Sequence, residues 1–273
     1  MKIYDECLLP ISEQELSTKI YNSLKNESDI YQCTRYLCQS DSFSKCILSN
    51  FVSLIDNEKD NEILLSAYIA FIMKYRNSQS AFISNDEYNK CTKLASELAG
   101  KLNKCWLYQY ADIALDISNF GFTPIKNGAL TLPSNKECLR RTEIIHNKIQ
   151  AFRGKNKPSS HIFSISANLY QRLALCFFRS TYKNKNQDKY KEEILQKEMK
   201  YYRLSVSEAT YALSFQPRSI DSCITLMDIY SFRTPNKNKL QETIHEFELR
   251  IPPKTVLKKS LASFVADCKK TLV

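Results

Sequence analysis

Tyr170-Gln171-Arg172-Leu173-Ala174-Leu175-Cys176-Phe177 sets a large residue, an aliphatic one, a small one and a large one at intervals of three, one and three. The same order returns in Tyr110-x2-Ile113-Ala114-x2-Ile117. At 3.6 residues per turn these positions share one side of a helix. The small residue lets a partner helix come close while its neighbours supply the contact ridge. The stretch therefore predicts a helix that packs closely on other helices.

Outward from it, the C-terminal third reads as helix after helix, at about 160–182, 188–215, 219–233, 237–248 and 254–270, punctuated by Pro217, Pro235 and the pair Pro252-Pro253. Ala209-x2-Ala212-Leu213 closes one of these helices before Pro217, and Leu226-x3-Tyr230 lies in the next. In the other direction, a helix from about Asn135 to Phe152 ends where Arg153-Gly154-Lys155-Asn156-Lys157-Pro158 is expected to break the chain. Before it, 119–136 holds Gly121, Pro124, Gly128 and Pro133 with no helical period, and predicts a long loop.

The first 118 residues predict five or six antiparallel helices. Ser12-x-x-Glu15 is a capping box opening a helix with Leu16, Ile20 and Leu24 on one face. Helices are expected from Tyr31 to Cys38 and from Phe43 to Ile55. Glu62 to Arg76 sets Leu64, Ala67, Tyr68, Phe71 and Tyr75 at three- and four-residue spacing, which predicts one apolar face. Ser84 or Asn85 caps a helix to Leu102, and Asn103 opens another reaching Ile117. The expected organisation is an N-terminal helical array at 1–118, a loop at 119–136 and a C-terminal helical domain at 137–273.

Composition agrees with an all-α protein. Only four of 273 residues are Gly, so glycine-rich phosphate loops and dinucleotide fingerprints, which need that residue, are excluded. The hydrophobic share of 43% suffices for a buried core. A net charge of +10 attracts anionic surfaces. Its carriers are mostly Lys in runs such as Lys183-Asn184-Lys185-Asn186, which read as solvated loops. Nucleic acid is therefore the lesser expectation, and another protein or a peptide is the expected partner.

The ten cysteines contain no C-x-x-C, and Cys33-x4-Cys38 with Cys46 has no nearby His. No metal, cofactor or disulfide framework is expected, and the thiols are expected buried and reduced. The acidic start, Met1 to Cys7, is unlike a Sec signal, and no apolar run approaches the roughly 18 residues of a membrane span. These features predict a cytoplasmic protein, with delivery into a host cell by a signal-independent route as the alternative.

The residues from Ala209 through Tyr230, with the Tyr170 pattern before them, resemble the tetratricopeptide repeat, whose first helix carries aromatic-x2-Leu-small-x2-Tyr and whose second ends in a small residue and Pro. Cys223 and Met227 depart from that pattern, a segment at Tyr182 to Asp188 is inserted, and the 34-residue period is not kept. The resemblance implies antiparallel helix pairs stacked as an α-solenoid whose concave face binds a peptide or protein surface. An irregular helical bundle is the alternative. In the family's register the groove side displays Asn168, Gln171, Arg172 and Arg179, then Asp221 and Asp228, with the two arginines suited to clamp a carboxylate. Such a protein serves as adaptor, chaperone, regulator or delivered effector.

A second constellation is Arg141-x4-His146. Its spacing resembles the motif of the HEPN helical ribonucleases, which implies a His base acting on a ribose 2′-OH and an Arg stabilising phosphoryl charge without metal. Thr142 stands where that family commonly has Asn, Asp or His. His161 is expected near a helix start, and His245, with no second His for H-E-x-x-H, on a solvated face. The last residues, Thr271-Leu272-Val273, have the form that PDZ domains take up by strand addition.

Overall fold

The computed structural model describes residues 3–4, 10–26, 29–40, 42–75, 84–119, 123–124, 130–131, 134–183, 190–215, 219–251 and 259–272. For 177–183, 191, 259–260 and a few others the backbone alone is described. Within these residues the protein is helical, with twelve α-helices packed against one another and two short antiparallel pairs. One pair joins β1 (Ile3–Tyr4) to β2 (Pro10–Ile11), with Ile3 opposite Ile11. The other joins β3 (Thr123–Pro124) to β4 (Leu130–Thr131) inside the expected loop, most of which lies outside the described residues. The chain divides into two compact units, Met1–Leu115 and Asp116–Val273.

In the first unit α1 (Glu13–Lys25) opens on the expected capping box, Ser12 Oγ accepting from Glu15 N while Glu15 accepts from Ser12 N. Its Ile20, Tyr21 and Leu24 are buried, and the helix packs on α3 (Lys45–Leu54), where Tyr21 meets Phe51 at 6.3 Å between ring centroids. α2 (Ile30–Gln39) starts at Asp29, whose carboxylate accepts from Tyr31 N.

α4 (Glu58–Tyr75) departs from the expectation of a single apolar face. From Leu65 to Ile72 every residue is buried, because the helix runs through the middle of the unit with α1, α2, α3 and α5 around it. α5 (Asn85–Lys101), capped by Ser84, turns Ala95 and Ala99 inward. Asn103 does not open the next helix. It sits at φ 54°, a left-handed turn that asparagine tolerates, and α6 (Cys105–Asn119) follows.

In the second unit α7 (Asn135–Lys155) carries on through Gly154, one turn beyond the expected break. Its interior hydrogen bonds outweigh the roughly 1 kcal/mol cost of one helical Gly. α8 (Ser160–Lys183) lies along α9 (Lys191–Leu213). α10 (Ile220–Asp228) runs into a π-turn, Ile229–Arg233, so the single helix expected at 219–233 changes winding after Asp228, with Thr234 N donating to Ile229 O across five residues. α11 (Lys237–Arg250) and α12 (Lys259–Lys270) close the unit over a core of Cys223, Met227, Leu240, Ile244, Phe247, Val265 and Cys268.

Contacts across this unit reach both the next helix and the next but one. α7 touches α9 at Glu143–Lys197, His146–Tyr201 and Arg153–Glu208, with both numbers rising together, so the two helices run parallel. α8 passes antiparallel beside them, Gln150 donating to the Tyr170 hydroxyl. α8 touches the α10 segment at Ser164–Ser219 and Gln171–Asp228, again rising together. Ala167, Ala209 and Leu226, from α8, α9 and α10, form one buried contact in which two methyl side chains let three helices converge.

Candidate functional site

The π-turn builds a polar cluster in the second unit. Five residues on a π-turn complete about one revolution, so Asp228 and Arg233 stand on one side, and Arg233 Nε reaches Asp228 Oδ2 at 3.5 Å. The same Oδ2 accepts from Gln171 Nε2 of α8 at 2.6 Å. Against this pair α9 brings Glu198 and Tyr202. Burial raises the Glu198 carboxyl above its ordinary range, opposed by Arg233. Burial also pushes the Tyr202 phenol up to about 12, with Arg233 opposing and the Glu198 and Asp228 charges adding to the rise. Tyr202 is buried, and its hydroxyl finds no hydrogen-bond partner among the described residues.

Of the residues expected to line a groove, the structure joins Gln171 and Asp228 to each other. Gln171 is buried and spent on that bond. Asn168 and Arg172 are half-buried on α8, and Asp221 is half-buried in the first turn of α10. The Arg179 side chain lies outside the described residues. Arg233, Glu198 and Tyr202 were not expected here. The one available signal was the five-residue spacing of Asp228 and Arg233, which has meaning only once the π-turn is known.

Arg141 and His146 take separate surroundings. Five α-helical residues rotate the side-chain direction by about 500°, leaving the two about 140° apart around α7. Arg141 Nε donates to Glu137 Oε1 at 2.8 Å, and hydrogen bonds from Arg140 and Arg141 hold the Glu137 carboxyl down to about 2. The His146 ring turns inward between Tyr170 and Tyr201, at 5.8 and 5.6 Å between centroids. Its Nδ1 is buried with no hydrogen-bond partner among the described residues. Burial and then Lys200 lower its pKa, opposed by Glu143.

His161 stands in the first turn of α8, where Ser159 Oγ accepts from Ile162 N, and His245 is exposed on α11. Four of the nine described thiols are buried, Cys33, Cys138, Cys223 and Cys268. Cys46 and Cys105 are exposed, against the expectation of burial, because each sits on the outer face in the first turn of its helix. The described residues contain no group of three or more His, Cys, Asp or Glu placed to hold a metal ion, and no described helix is long and apolar enough to cross a membrane. Near the C-terminus Leu272 packs on the last core cluster and its carbonyl accepts from Lys237 Nζ; Val273 lies outside the described residues.

The class of protein defined by the fold is all-helical, built by packing helix on helix. No family model matches the chain, and neither a curated protein nor a solved structure matches it.

Proposed function

We propose that the second unit is a protein-interaction module of tetratricopeptide-like helix pairs, α8 with α9 and α10 with α11, which takes a peptide or protein surface along α8 and α10. The observation that carries this reading is the Gln171–Asp228 bond of 2.6 Å, which ties the first helices of two successive pairs side by side. Side-by-side first helices are the arrangement from which a solenoid makes its binding face. The contacts of α7 with α9 and of α8 with α10 support the same reading. Arg172 and Arg179, a little under two turns apart on α8, serve in it as the clamp for a guest carboxylate.

The test is affinity capture from native cytosol with mass-spectrometric identification. The native protein is compared with a variant carrying Arg172→Glu and Arg179→Glu, whose helicity is checked by circular dichroism. The proposal expects a specific partner that the folded variant loses. A partner captured equally by both would refute the clamp.

A further inference from the structure

We infer that the outer face of α9 and the adjoining end of α7 form a binding surface for single-stranded nucleic acid, a capacity separate from capture of a protein partner. The charge of the chain is not evenly shared between its two units. Met1–Leu115 holds 12 Lys and Arg against 15 Asp and Glu, a net of −3, whereas Asp116–Val273 holds 27 against 14, a net of +13. The whole positive excess therefore belongs to the second unit, where it raises the local concentration of anions.

On α9 part of that excess is arranged as a stripe. Lys200, Arg203, Ser207 and Tyr211 are all exposed and follow one another at spacings of three, four and four, which keeps them on one side of the helix over about 16 Å. From Lys197 to Leu213 the helix has two carboxylates, and neither is available to this stripe. Glu208 is paired with Arg153 at 2.6 Å, and Glu198 sits at the seam with the π-turn.

The stripe ends on a prepared aromatic face. Tyr211, 60% exposed, stacks on Phe163 at 5.1 Å and 27° between rings. Phe163 is itself buried, with Phe215 at 5.4 Å and the Arg153 guanidinium 3.7 Å from its ring centroid. The tyrosine ring is thus fixed from beneath and presented to solvent. Lys155 and Lys157 are exposed at the same end, where Ser160 ties the start of α8 to the Ala212 carbonyl.

A fixed aromatic ring beside a row of cations offers one base a stacking partner and offers the phosphates that follow it their counter-charges. It favours a single strand because a duplex keeps its base faces covered. An acidic peptide would use the cations but has no need of the ring.

The test is fluorescence anisotropy of a labelled 12-nucleotide single-stranded RNA with the full-length protein, across 30–200 mM KCl. A labelled 12-residue polyglutamate and a 12-base-pair duplex are run in parallel. Saturable binding of the single strand is expected, with affinity falling as salt rises. Tyr211→Ala and Tyr211→Leu should each weaken it about tenfold, and Tyr211→Phe should retain it. The pair Lys200→Glu with Arg203→Glu should cut the slope of log affinity on log salt by about 1.4, the loss expected for two phosphate contacts. The matched charge change Lys237→Glu with Lys239→Glu on α11 should leave that slope nearly unchanged. Absent binding at 30 mM salt, equal binding of polyglutamate, or indifference of the RNA to Tyr211→Leu would each overturn the inference.

Discussion

Arg153→Met removes the cation that neutralises Glu208 while keeping most of the aliphatic bulk of the side chain. The Arg153 and Glu208 side chains are 22% and 17% exposed and meet at 2.6 Å. Breaking one side of a buried ion pair costs about 3–5 kcal/mol, and partial access to water lowers this to roughly 2–3 kcal/mol here. Loss of the cation over Phe163 is included in that figure. The double variant Arg153→Met, Glu208→Leu leaves no charge stranded and should fall within about 1 kcal/mol of the native protein, so the two sites should couple by about 2 kcal/mol.

Hydrogen exchange of amides in α7 and α9 reads the effect locally. The single variant should exchange on the order of 30–150 times faster, and the double variant only a few times faster. Acidity supplies an internal check. Burial already raises the Glu208 carboxyl, with Arg153 opposing, and removing Arg153 raises it further. A carboxyl raised on folding costs stability as pH climbs from its ordinary value to its raised one, and costs nothing once it is protonated. The deficit of Arg153→Met should therefore shrink as pH falls from the neutral range toward about 4.5, the ordinary value of the carboxyl. A deficit below 1 kcal/mol at pH 7, or one unchanged on acidification, would refute this account of how α7, α8 and α9 are locked.

Two further expectations concern the same three helices. His146 has Glu143 on its own helix, Tyr170 on α8, and Lys197, Lys200 and Tyr201 on α9 as its polar surroundings, and its pKa is lowered first by burial. The unfolded chain then binds the proton more readily. Stability should be lost as pH drops below about 6.5, by at most about 1.4 kcal/mol per pH unit, until the lowered value is passed. Urea unfolding at pH 7.5 and 5.5 should show that His146→Leu removes this component, and an identical pH response in the variant would exclude it. Ala209→Leu places three extra carbons where α8, α9 and α10 converge and should cost about 1–3 kcal/mol in thermal unfolding, while an unaffected midpoint would mean that the contact with Ala167 and Leu226 is loose.

Most of the helices were legible because their signals are local. Ser12 and Ser84 each precede a Glu three residues on, and each opens a helix where that pattern places it. The departures arise where tertiary contact decides. Ser66 and Ala70 lie outside the apolar face expected on α4, yet both are buried because four helices surround it. Gly154 carries a helical geometry that its intrinsic preference opposes. The π-turn at Ile229–Arg233 has no compositional mark. It accompanies the contact of Asp228 with Gln171, 57 positions away in the chain.

The same distinction governs the polar sites. Asp228 and Gln171 were recognisable as residues of one face only through a repeat register, and the register says nothing of their bonding to each other. The outer stripe of α9 is a harder case. Lys200, Arg203, Ser207 and Tyr211 have helical spacing in the sequence, but so do Ile194, Tyr201, Ser205 and Ala209, which are buried. Amphipathic period identifies two faces, and with tyrosines on both it does not say which of them meets solvent. That assignment comes from Ser205 and Ala209, whose small side chains admit α8 and α10; the Ser205 hydroxyl donates to the Ala167 carbonyl at 2.7 Å. With that face closed, Tyr211 is turned outward, and Phe163 and Arg153 arrive beneath it from two other helices. The placement of cations beside a stacked ring is therefore a product of packing, and total charge alone would have distributed it over the whole chain.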